Sequence, residues 1–362
     1  MIEKLGVIST GIKLPIIREG DDLVKIIRNN VLDAMTDWTG SSYIVKDNAV
    51  VGITESIVAR AQGNYVTVDE IVDEIVSKYG RRDIVLLNPI YSRNRFSVIL
   101  KALARAANNN IHIIMPEFDE VGNPCGVNQF TSVNIEEYYK EIVESEDKIC
   151  FIIDEKVYES VFRMPFDDDK YLIIDCRLHS EEKWNCNNVI TLKDICHDKC
   201  EYGLLGSNKS TDEKLKLFPN KAKAQQFVED LQKELYKATA AHIIVTVYGD
   251  GCFKDPVGGI WEFADPVTMP AYTDKELIES TPNELKVKAL ADDKFKDLNG
   301  QELMDAMKQE IENKEKNLVG SMKSQGTTPR MYRDLLASLM DLTSGSGDRC
   351  TPVVLIQNYF NR

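Results

Sequence analysis

Two aspartates and a lysine follow an apolar run in the stretch 242–259, HIIVTVYGDGCFKDPVGG. The run is rich in β-branched residues and predicts a buried strand, and Asp250, Lys254 and Asp255 come in the glycine-rich segment after it. Glycine lets the backbone turn with positive φ and approach a ligand closely. A strand that delivers charged groups into such a turn is typical of phosphate or metal chemistry. The D-G pair is also typical of an ordinary hairpin turn, so both interpretations stay open.

A second set of chemically useful side chains is an arginine pair between a predicted strand and a predicted helix. Arg93 and Arg95 follow the strand 84–87 and come just before the helix 96–107. Arginine offers a planar fork of donors that suits phosphate or carboxylate recognition. The alternative is that both arginines are solvated residues at the start of a helix.

Two further segments have the composition of anion-binding loops. One is EYGLLGSNKS at 201–210, and the other is SQGTTPR at 324–330, directly ahead of the predicted helix 331–342. The N-terminus of a helix presents free N–H groups to an anion, whereas the first segment lacks the spacing of a P-loop. The candidate phosphate-binding residues are Ser207, Asn208, Lys209, Gly326, Thr327, Thr328 and Arg330. Flexible surface loops have the same composition.

The eight cysteines are scattered along the chain, which is typical of reduced thiols. One group consists of Cys186, Cys196, His197 and Cys200, and its last two cysteines have the spacing of a pair of zinc ligands. The second such pair that structural zinc sites use is missing. The sequence therefore leaves open whether this group binds zinc or is incidental.

Composition and charge exclude several classes of protein. The chain has 362 residues, 43% of them hydrophobic and 28% charged, and a formal net charge of −14. These values are typical of a globular protein with two or three domains and argue against a broad nucleic-acid-binding face. No apolar run approaches the roughly 20 residues that span a bilayer, and the first residues lack the apolar core of a signal peptide. We expect a cytoplasmic protein whose partners are small molecules, with neither nucleic acid nor membrane among them.

Strands and helices alternate through most of the chain, which predicts a mixed α+β fold of the α/β class. The predicted strands cover 47–54, 84–87, 111–115, 149–153, 171–174 and 242–247. The predicted helices cover 21–35, 55–63, 66–79, 96–107, 135–146, 214–217, 221–235 and 331–342, and most of 274–319 is also predicted to be helical. The pattern weakens at 175–199. We expect an N-terminal region at 1–110, an inserted α/β region at 111–200, and a C-terminal region with a helical tail at 201–362.

Two segments, GIKLPIIREGDDL at 11–23 and DNAVVGITESIVARAQG at 47–63, resemble the opening of the coenzyme F420-0:gamma-glutamyl ligase family. The motifs YGLLGSNK, SQGTTPR and TSGSGD look like those of long, divergent members of that family in low-GC bacteria. The resemblance implies a ligase-like fold with an inserted middle region. It also implies a homodimeric enzyme that adds glutamate to a deazaflavin coenzyme precursor, using GTP and a divalent metal.

The resemblance further implies which residues contact the nucleotide. In the family, an LPxI segment contacts the guanine nucleotide, and the matching segment here is LPII. A serine and a lysine of the family that contact the same nucleotide are replaced here by a glutamate and an arginine. The nucleotide-binding residues implied in this way are Leu14, Pro15, Ile16, Ile17, Glu55 and Arg60.

Together these observations predict a glutamate ligase that works through an acyl phosphate formed with GTP or ATP. Asp250, Lys254 and Asp255 are the expected catalytic residues, and the two aspartates would hold Mg²⁺ or Mn²⁺ against the transferring phosphoryl oxygens. The side chains expected to hold the phosphates are Lys254, Arg60, Arg93 and Arg95. The alternative is a non-catalytic or repurposed relative that binds a phosphorylated small molecule or a nucleotide.

Overall fold

The computed structural model describes residues 6–36, 45–91, 94–119, 123–127, 131–154, 169–176, 188–250, 266–283, 285–314, 330–345 and 349–360, except for the side chain of Asp250. Its strands are β1 (Ile8–Ile12), β2 (Ala49–Thr54), β3 (Tyr65–Thr67), β4 (Asp83–Leu87), β5 (Asn110–Met115), β6 (Ile149–Asp154), β7 (Tyr171–Asp175), β8 (Val189–Thr191), β9 (Ser207–Thr211), β10 (Lys214–Leu217), β11 (Ile243–Asp250), β12 (Pro266–Tyr272) and β13 (Val353–Gln357). Its helices are α1 (Leu23–Thr36), α2 (Glu55–Ala61), α3 (Val68–Tyr79), α4 (Arg95–Ala106), α5 (Ile135–Glu144), α6 (Lys221–Thr239), α7 (Lys275–Ile278), α8 (Val287–Asp292), α9 (Gly300–Asn313) and α10 (Tyr332–Ser344). The predicted mixed α/β fold is confirmed.

A mixed five-stranded sheet brings together segments from the two halves of the chain. Its strand order is β1-β13-β2-β11-β12, and within it β2 and β11 run parallel while the other neighbours are antiparallel. Helices α1 and α6 pack on one face of this sheet, and α10 packs on the other. Because β2 and β11 are parallel, their carboxyl ends meet at one edge, where Thr54 lies opposite Tyr248.

Polar residues fix where the helices on this sheet begin. Oδ1 of Asp22 accepts a hydrogen bond from the backbone N–H of Lys25 at 3.0 Å and so caps the start of α1. Oδ1 of Asn220 accepts from the N–H of Lys223 at 3.1 Å and caps α6 in the same way. These caps set the start of the two helices whose apolar sides cover the sheet.

A second five-stranded sheet is parallel throughout, with the order β6-β5-β4-β7-β8. Helices α3, α4 and α5 cover one of its faces in a core that includes Ile84, Leu86, Phe96 and Leu103. Strand β8 lies in the segment where the sequence pattern weakens, and it pairs with β7. Strand β4, from the predicted N-terminal region, lies at the centre of this sheet between β5 and β7. The division of the chain into three regions stays a prediction.

A small antiparallel sheet of three strands, β3-β10-β9, packs against the same core. The prediction of a helix at 214–217 is wrong, because this segment is β10 and pairs with both β3 and β9. The segment reads K-L-K-L, so Leu215 and Leu217 point into the core while Lys216 lies on the other face. Four residues are too few for a stable helix, whereas two neighbouring strands satisfy their backbone groups.

Among the described helices, none is long and apolar enough to cross a bilayer.

Gly52 lies in β2 beneath α10, and a methyl group at this position would collide with the side chain of Met340. Overpacking of this kind costs about 1–3 kcal/mol, so we expect Gly52→Ala to lower the free energy of unfolding by that amount in urea titrations. Met340→Ala removes the colliding atoms and leaves a cavity. In that background, Gly52→Ala should cost much less or should stabilise the protein. An equal loss in both backgrounds would contradict the packing described here.

Candidate functional site

A pocket of about 420 Å³ lies at the edge of the mixed sheet where β2 and β11 end. Segments from both ends of the chain line it, and they include the LPII segment, the β2–α2 junction and the flanks of the α10–β13 connection. The lining residues are Leu14, Pro15, Ile16, Ile17, Thr54, Glu55, Ser56, Ile57, Arg60, Asn208, Tyr248, Gly249, Asp341, Ser344, Gly345, Cys350, Thr351 and Pro352. All six of the residues predicted to contact a nucleotide through the resemblance are among them.

The LPII segment forms one wall of the pocket and is held at both ends. The N–H of Leu14 donates to the carbonyl of Cys350 at 3.3 Å, and Nε of Arg60 donates to the carbonyl of Ile17 at 3.1 Å. Only 3% of the surface of Ile17 is exposed, whereas 78% of Ile16 is exposed. The segment is therefore fixed in place and presents the exposed apolar side chain of Ile16 at the pocket. An apolar surface of this kind suits contact with the flat ring of a ligand.

Glu55 brings a carboxylate to the place where β2 and β11 end. It is the first residue of α2, only 9% of it is exposed, and its Oε2 accepts a hydrogen bond from Oγ1 of Thr54 at 2.9 Å. A methyl group on Gly249 would lie 2.6 Å from the same oxygen. The lack of a side chain at position 249 therefore leaves the room that the Glu55 carboxylate occupies.

Lys216 is a cation at the rim of the pocket that the sequence did not indicate. Its Nζ lies 2.5 Å from Oγ of Ser56, which lines the pocket. Burial lowers the pKa of Lys216, the nearby charge of Glu55 opposes this effect, and the charge of Arg60 adds to it. The alternating K-L-K-L pattern was the available signal, because it places this lysine opposite the two buried leucines.

Tyr248 is a buried phenol at the carboxyl end of β11, and it lines the pocket. Burial raises the pKa of Tyr248 to about 12, and the negative charges of Glu55 and Asp341 contribute to the increase. The phenol therefore keeps its proton at neutral pH and can act as a hydrogen-bond donor, not as a base.

The structure brings one of the predicted phosphate-binding residues of β9 to the pocket. Asn208 lines it, on the strand next to the one that carries Lys216. Oγ of Ser207 donates to the carbonyl of Leu204 at 2.6 Å, and Nζ of Lys209 forms an ion pair with Asp212 at 2.6 Å. Both side chains are thus engaged within the protein.

Two predicted cations lie away from this pocket. Arg95 is the first residue of α4 and is buried beside the parallel sheet. The guanidinium of Arg330 donates to Oγ of Ser338 at 3.2 Å, at the start of α10, whereas the pocket contacts the end of this helix. A helix of this length separates its ends by about 20 Å.

Several predicted site residues lie outside the described residues. For Asp250 the backbone is described, and as the last residue of β11 it pairs with Pro266 directly after the pocket residue Gly249. The others are Lys254, Asp255, Arg93, Gly326, Thr327 and Thr328. Their roles stay predictions.

A comparison with known proteins shows to which family the chain belongs. The sequence profile of the F420-0:gamma-glutamyl ligase family matches residues 11–358. The chain belongs to this family. A search of curated proteins finds no match to this member of the ligase family.

Of the cysteines in the possible zinc-binding group of this ligase family member, the structure describes Cys196 and Cys200. Cys186 lies outside the described residues. Burial raises the pKa of Cys200 to about 11, and burial together with the charge of Glu74 raises the pKa of Cys196 as well. Zinc binds the thiolate form, which these buried surroundings disfavour. The part of the chain that is described contains no cluster of three or more metal-ligating side chains. Both interpretations of this group of cysteines therefore stay open.

Lys216 makes stability depend on pH in a defined direction. Its folded-state pKa is lowered, so between that value and the ordinary value of about 10.4 the unfolded chain binds more protons than the folded protein. Burying the charged ammonium group lowers the free energy of unfolding. This loss is present in full below the pKa that Lys216 has in the folded protein, and it becomes smaller as pH rises above that value. We expect the unfolding free energy of the wild type, relative to Lys216→Met, to rise through this window by up to about 1.4 kcal/mol per pH unit.

Urea titrations at a series of alkaline pH values measure this difference, and Lys223→Met on the exposed side of α6 serves as the control. A difference between wild type and Lys216→Met that does not change with pH would contradict the prediction.

Proposed function

We propose that this chain is a nucleotide- and metal-dependent ligase that adds glutamate to a deazaflavin coenzyme F420-like or other carboxylate acceptor. The observation that carries the proposal is the pocket, which gathers the LPII segment, Glu55 and Arg60 beside the end of β11. Membership of the gamma-glutamyl ligase family supports the reaction type. Strand β11 also leads from the pocket directly into Asp250.

The proposed nucleotide, GTP or ATP, lies with its base on the LPII segment and its phosphates towards the cations. The pocket volume of about 420 Å³ falls within the range of small-molecule sites. Arg60 and Lys216 supply positive charge near Glu55, and phosphate oxygens form strong charge-assisted hydrogen bonds with such groups. A bound phosphate would also favour the charged form of Lys216, whose pKa burial lowers.

Mg²⁺ or Mn²⁺ fits the donor chemistry of this pocket. Mg²⁺ keeps several water ligands and is commonly bound by one or two carboxylates together with substrate phosphates. Glu55 and Asp341 are carboxylates of the pocket wall, and we propose that Asp250 and Asp255 complete the set. When bound, the ion would neutralise negative charge on the transferring phosphoryl group.

The proposed reaction consists of two transfers. A carboxylate oxygen of the acceptor attacks the γ-phosphorus, the bond from phosphorus to the nucleoside diphosphate breaks, and an acyl phosphate forms. The glutamate amine then attacks the acyl carbon, the carbon–oxygen bond to phosphate breaks, and the nitrogen loses a proton as the amide forms. Enzymes accelerate phosphoryl transfer mainly through positioning and charge neutralisation. In this chain, Arg60, Lys216 and Lys254 are proposed to hold the phosphates.

We also propose that the ligase is a cytoplasmic homodimer, and the family resemblance supports the dimer. The net charge of −14 supports small-molecule substrates over nucleic acid. Sedimentation velocity should show a species of twice the chain mass. A purely monomeric protein at micromolar concentration would contradict the dimer and leave the ligase proposal untouched.

The activity is tested by incubating the protein with GTP or ATP, Mg²⁺ or Mn²⁺, glutamate and a deazaflavin acceptor. We expect nucleoside diphosphate and an extended product, and little of either with Asp250→Ala. Arg60→Met removes a cation from the pocket and should raise the KM for the nucleotide by about tenfold or more. Arg28→Met, on α1 away from the pocket, is the matched control and should leave KM within about twofold.

The outcomes of these experiments distinguish a ligase from a non-catalytic homologue that only binds a nucleotide. Nucleotide binding that Arg60→Met weakens, without turnover, would support a non-catalytic homologue. Absence of both binding and turnover for GTP and ATP would contradict the assignment of this pocket.

A further inference from the structure

The pocket at the edge of the mixed sheet spans both faces of that sheet. On one side, Ile57 of α2 lies in the same core as α1 and α6, and Arg60 belongs to the same helix. On the other side, Tyr248 of β11 lies in the core beneath α10, and Asp341 reaches the pocket from that helix. The described lining residues from β11 and α10 include no cation. A ligand that fills the pocket therefore meets an arginine on one side and a carboxylate with a phenol on the other.

The phenol of Tyr248 is a buried polar group without a partner. Only 2% of Tyr248 is exposed, and within the described chain its Oη makes no hydrogen bond. The neighbouring hydroxyl of Ser344 donates to the carbonyl of Asp341 at 3.1 Å. Burying a hydroxyl without a partner lowers the stability of a protein, so the presence of this group calls for an explanation.

The groups around the phenol indicate that it faces the pocket. The charges of Glu55 and Asp341 act on it, and Ser344 lies beside it. All three of these residues line the pocket. The core beneath α10 offers the ring of Tyr248 only apolar neighbours, such as Ile244. A ligand in the pocket is therefore the group that can complete the hydrogen bonding of Oη.

Asp341 brings a carboxylate to the same end of the pocket. It lies in the last turn of α10 and is exposed, and within the described residues its side chain makes neither an ion pair nor a hydrogen bond. The partial negative charge at the C-terminus of a helix disfavours a carboxylate there. Asp341 therefore does not stabilise the helix that carries it, whereas a positively charged ligand group would interact favourably with both.

A carboxylate next to a phenol favours an amine over an anion at this end of the pocket. The charges of Glu55 and Asp341 repel a phosphate or a carboxylate. An amino group instead carries N–H donors, which a carboxylate and a phenol oxygen both accept. The reaction proposed above includes such a group, because the nitrogen of glutamate forms the new bond.

We propose that the Tyr248 side of the pocket binds the amino group of the amino-acid substrate. The carboxylate of Asp341 and Oη of Tyr248 accept its N–H groups, and they hold the nitrogen opposite the phosphates that Arg60 binds. An ionised carboxylate has about four lone-pair sites, so Asp341 can serve both the amine and the proposed metal ion. This inference rests on the proposed ligase function and names the residues that recognise its amine.

The first test compares the binding of L-glutamate with that of glutarate, which has both carboxylates but lacks the amino group. Calorimetric titrations use the full chain saturated with Mg²⁺ and a non-hydrolysable GTP analogue. We expect the wild type to bind glutamate about tenfold or more tightly than glutarate, and Tyr248→Phe and Asp341→Asn to reduce this preference to about threefold or less. Tyr272→Phe removes a phenol next to the same core and is the matched control, which should keep the preference.

An absent preference in the wild type, or an unchanged preference in Tyr248→Phe, would overturn the inference. Equal weakening of glutamate and glutarate by Tyr248→Phe would also overturn it, because the hydroxyl would then not recognise the amine. These results are compatible with nucleotide binding and turnover by the wild type, so they leave the ligase proposal untouched. A wild type that neither binds the nucleotide nor forms product contradicts the ligase proposal itself.

The second test asks whether the hydroxyl of Tyr248 is free in the folded protein. Tyr248→Phe removes a hydroxyl without a partner, so the midpoint of urea unfolding should stay the same or rise. Tyr272→Phe removes a phenol that donates a hydrogen bond to Glu279, so its midpoint should fall. A fall for Tyr248→Phe that equals or exceeds the fall for Tyr272→Phe would show that Oη is bound within the protein, and it would overturn the inference.

Discussion

The parallel pairing of β2 with β11 is the contact on which the candidate active site depends. It places the β2–α2 junction, with Glu55 and Arg60, beside the end of a strand that lies in the other half of the chain. The pairing brings Glu55 so close to position 249 that glycine is required there. A shift of one residue in this register would turn the inward side chains of the shifted strand outward. The cores on both faces of the sheet therefore fix the geometry of the pocket.

The remaining walls of the pocket are held by interactions with this pair of strands. The guanidinium of Arg60 ties the LPII segment to α2, and the carbonyl of Cys350 ties the same segment to the chain just before β13. Lys216 reaches the pocket from the three-stranded sheet through Ser56. The pocket thus joins three parts of the fold, and its mixture of carboxylates and cations around an apolar segment suits a nucleotide with its metal ion.

The two large sheets each gather polar residues at a carboxyl edge, but they do so differently. In the mixed sheet, segments remote in sequence meet across the parallel pair. In the parallel sheet, Asn88 directly after β4 contacts Asp175 at the end of the neighbouring strand β7. The pocket described above lies at the edge of the mixed sheet, beside Glu55.

Much of the fold could be predicted from the sequence because its long elements have clear periodicity. Helix α1 has apolar residues at helical spacing after an aspartate cap, and β2 and β11 are continuous apolar runs. The four-residue strand β10 could not be predicted, because its conformation is set by the strands on either side. For the same reason, the position of Lys216 beside the pocket could not be predicted.

The candidate site was predictable only where a motif was specific. The LPII segment with Glu55 and Arg60 came from the family resemblance, and these residues lie together. Glycine-rich composition alone could not tell which polar loops share a site, because strand order and register decide that. Asn208 reaches the pocket, whereas Ser207 and Lys209 beside it form hydrogen bonds and ion pairs elsewhere.

A crystal structure of the chain soaked with GTP and Mn²⁺ tests the assignment of the pocket most directly. We expect density for the base against the LPII segment, for the phosphates near Arg60 and Lys216, and for Mn²⁺ within bonding distance of Asp250. Nucleotide density at another place, with the pocket holding only solvent, would contradict it.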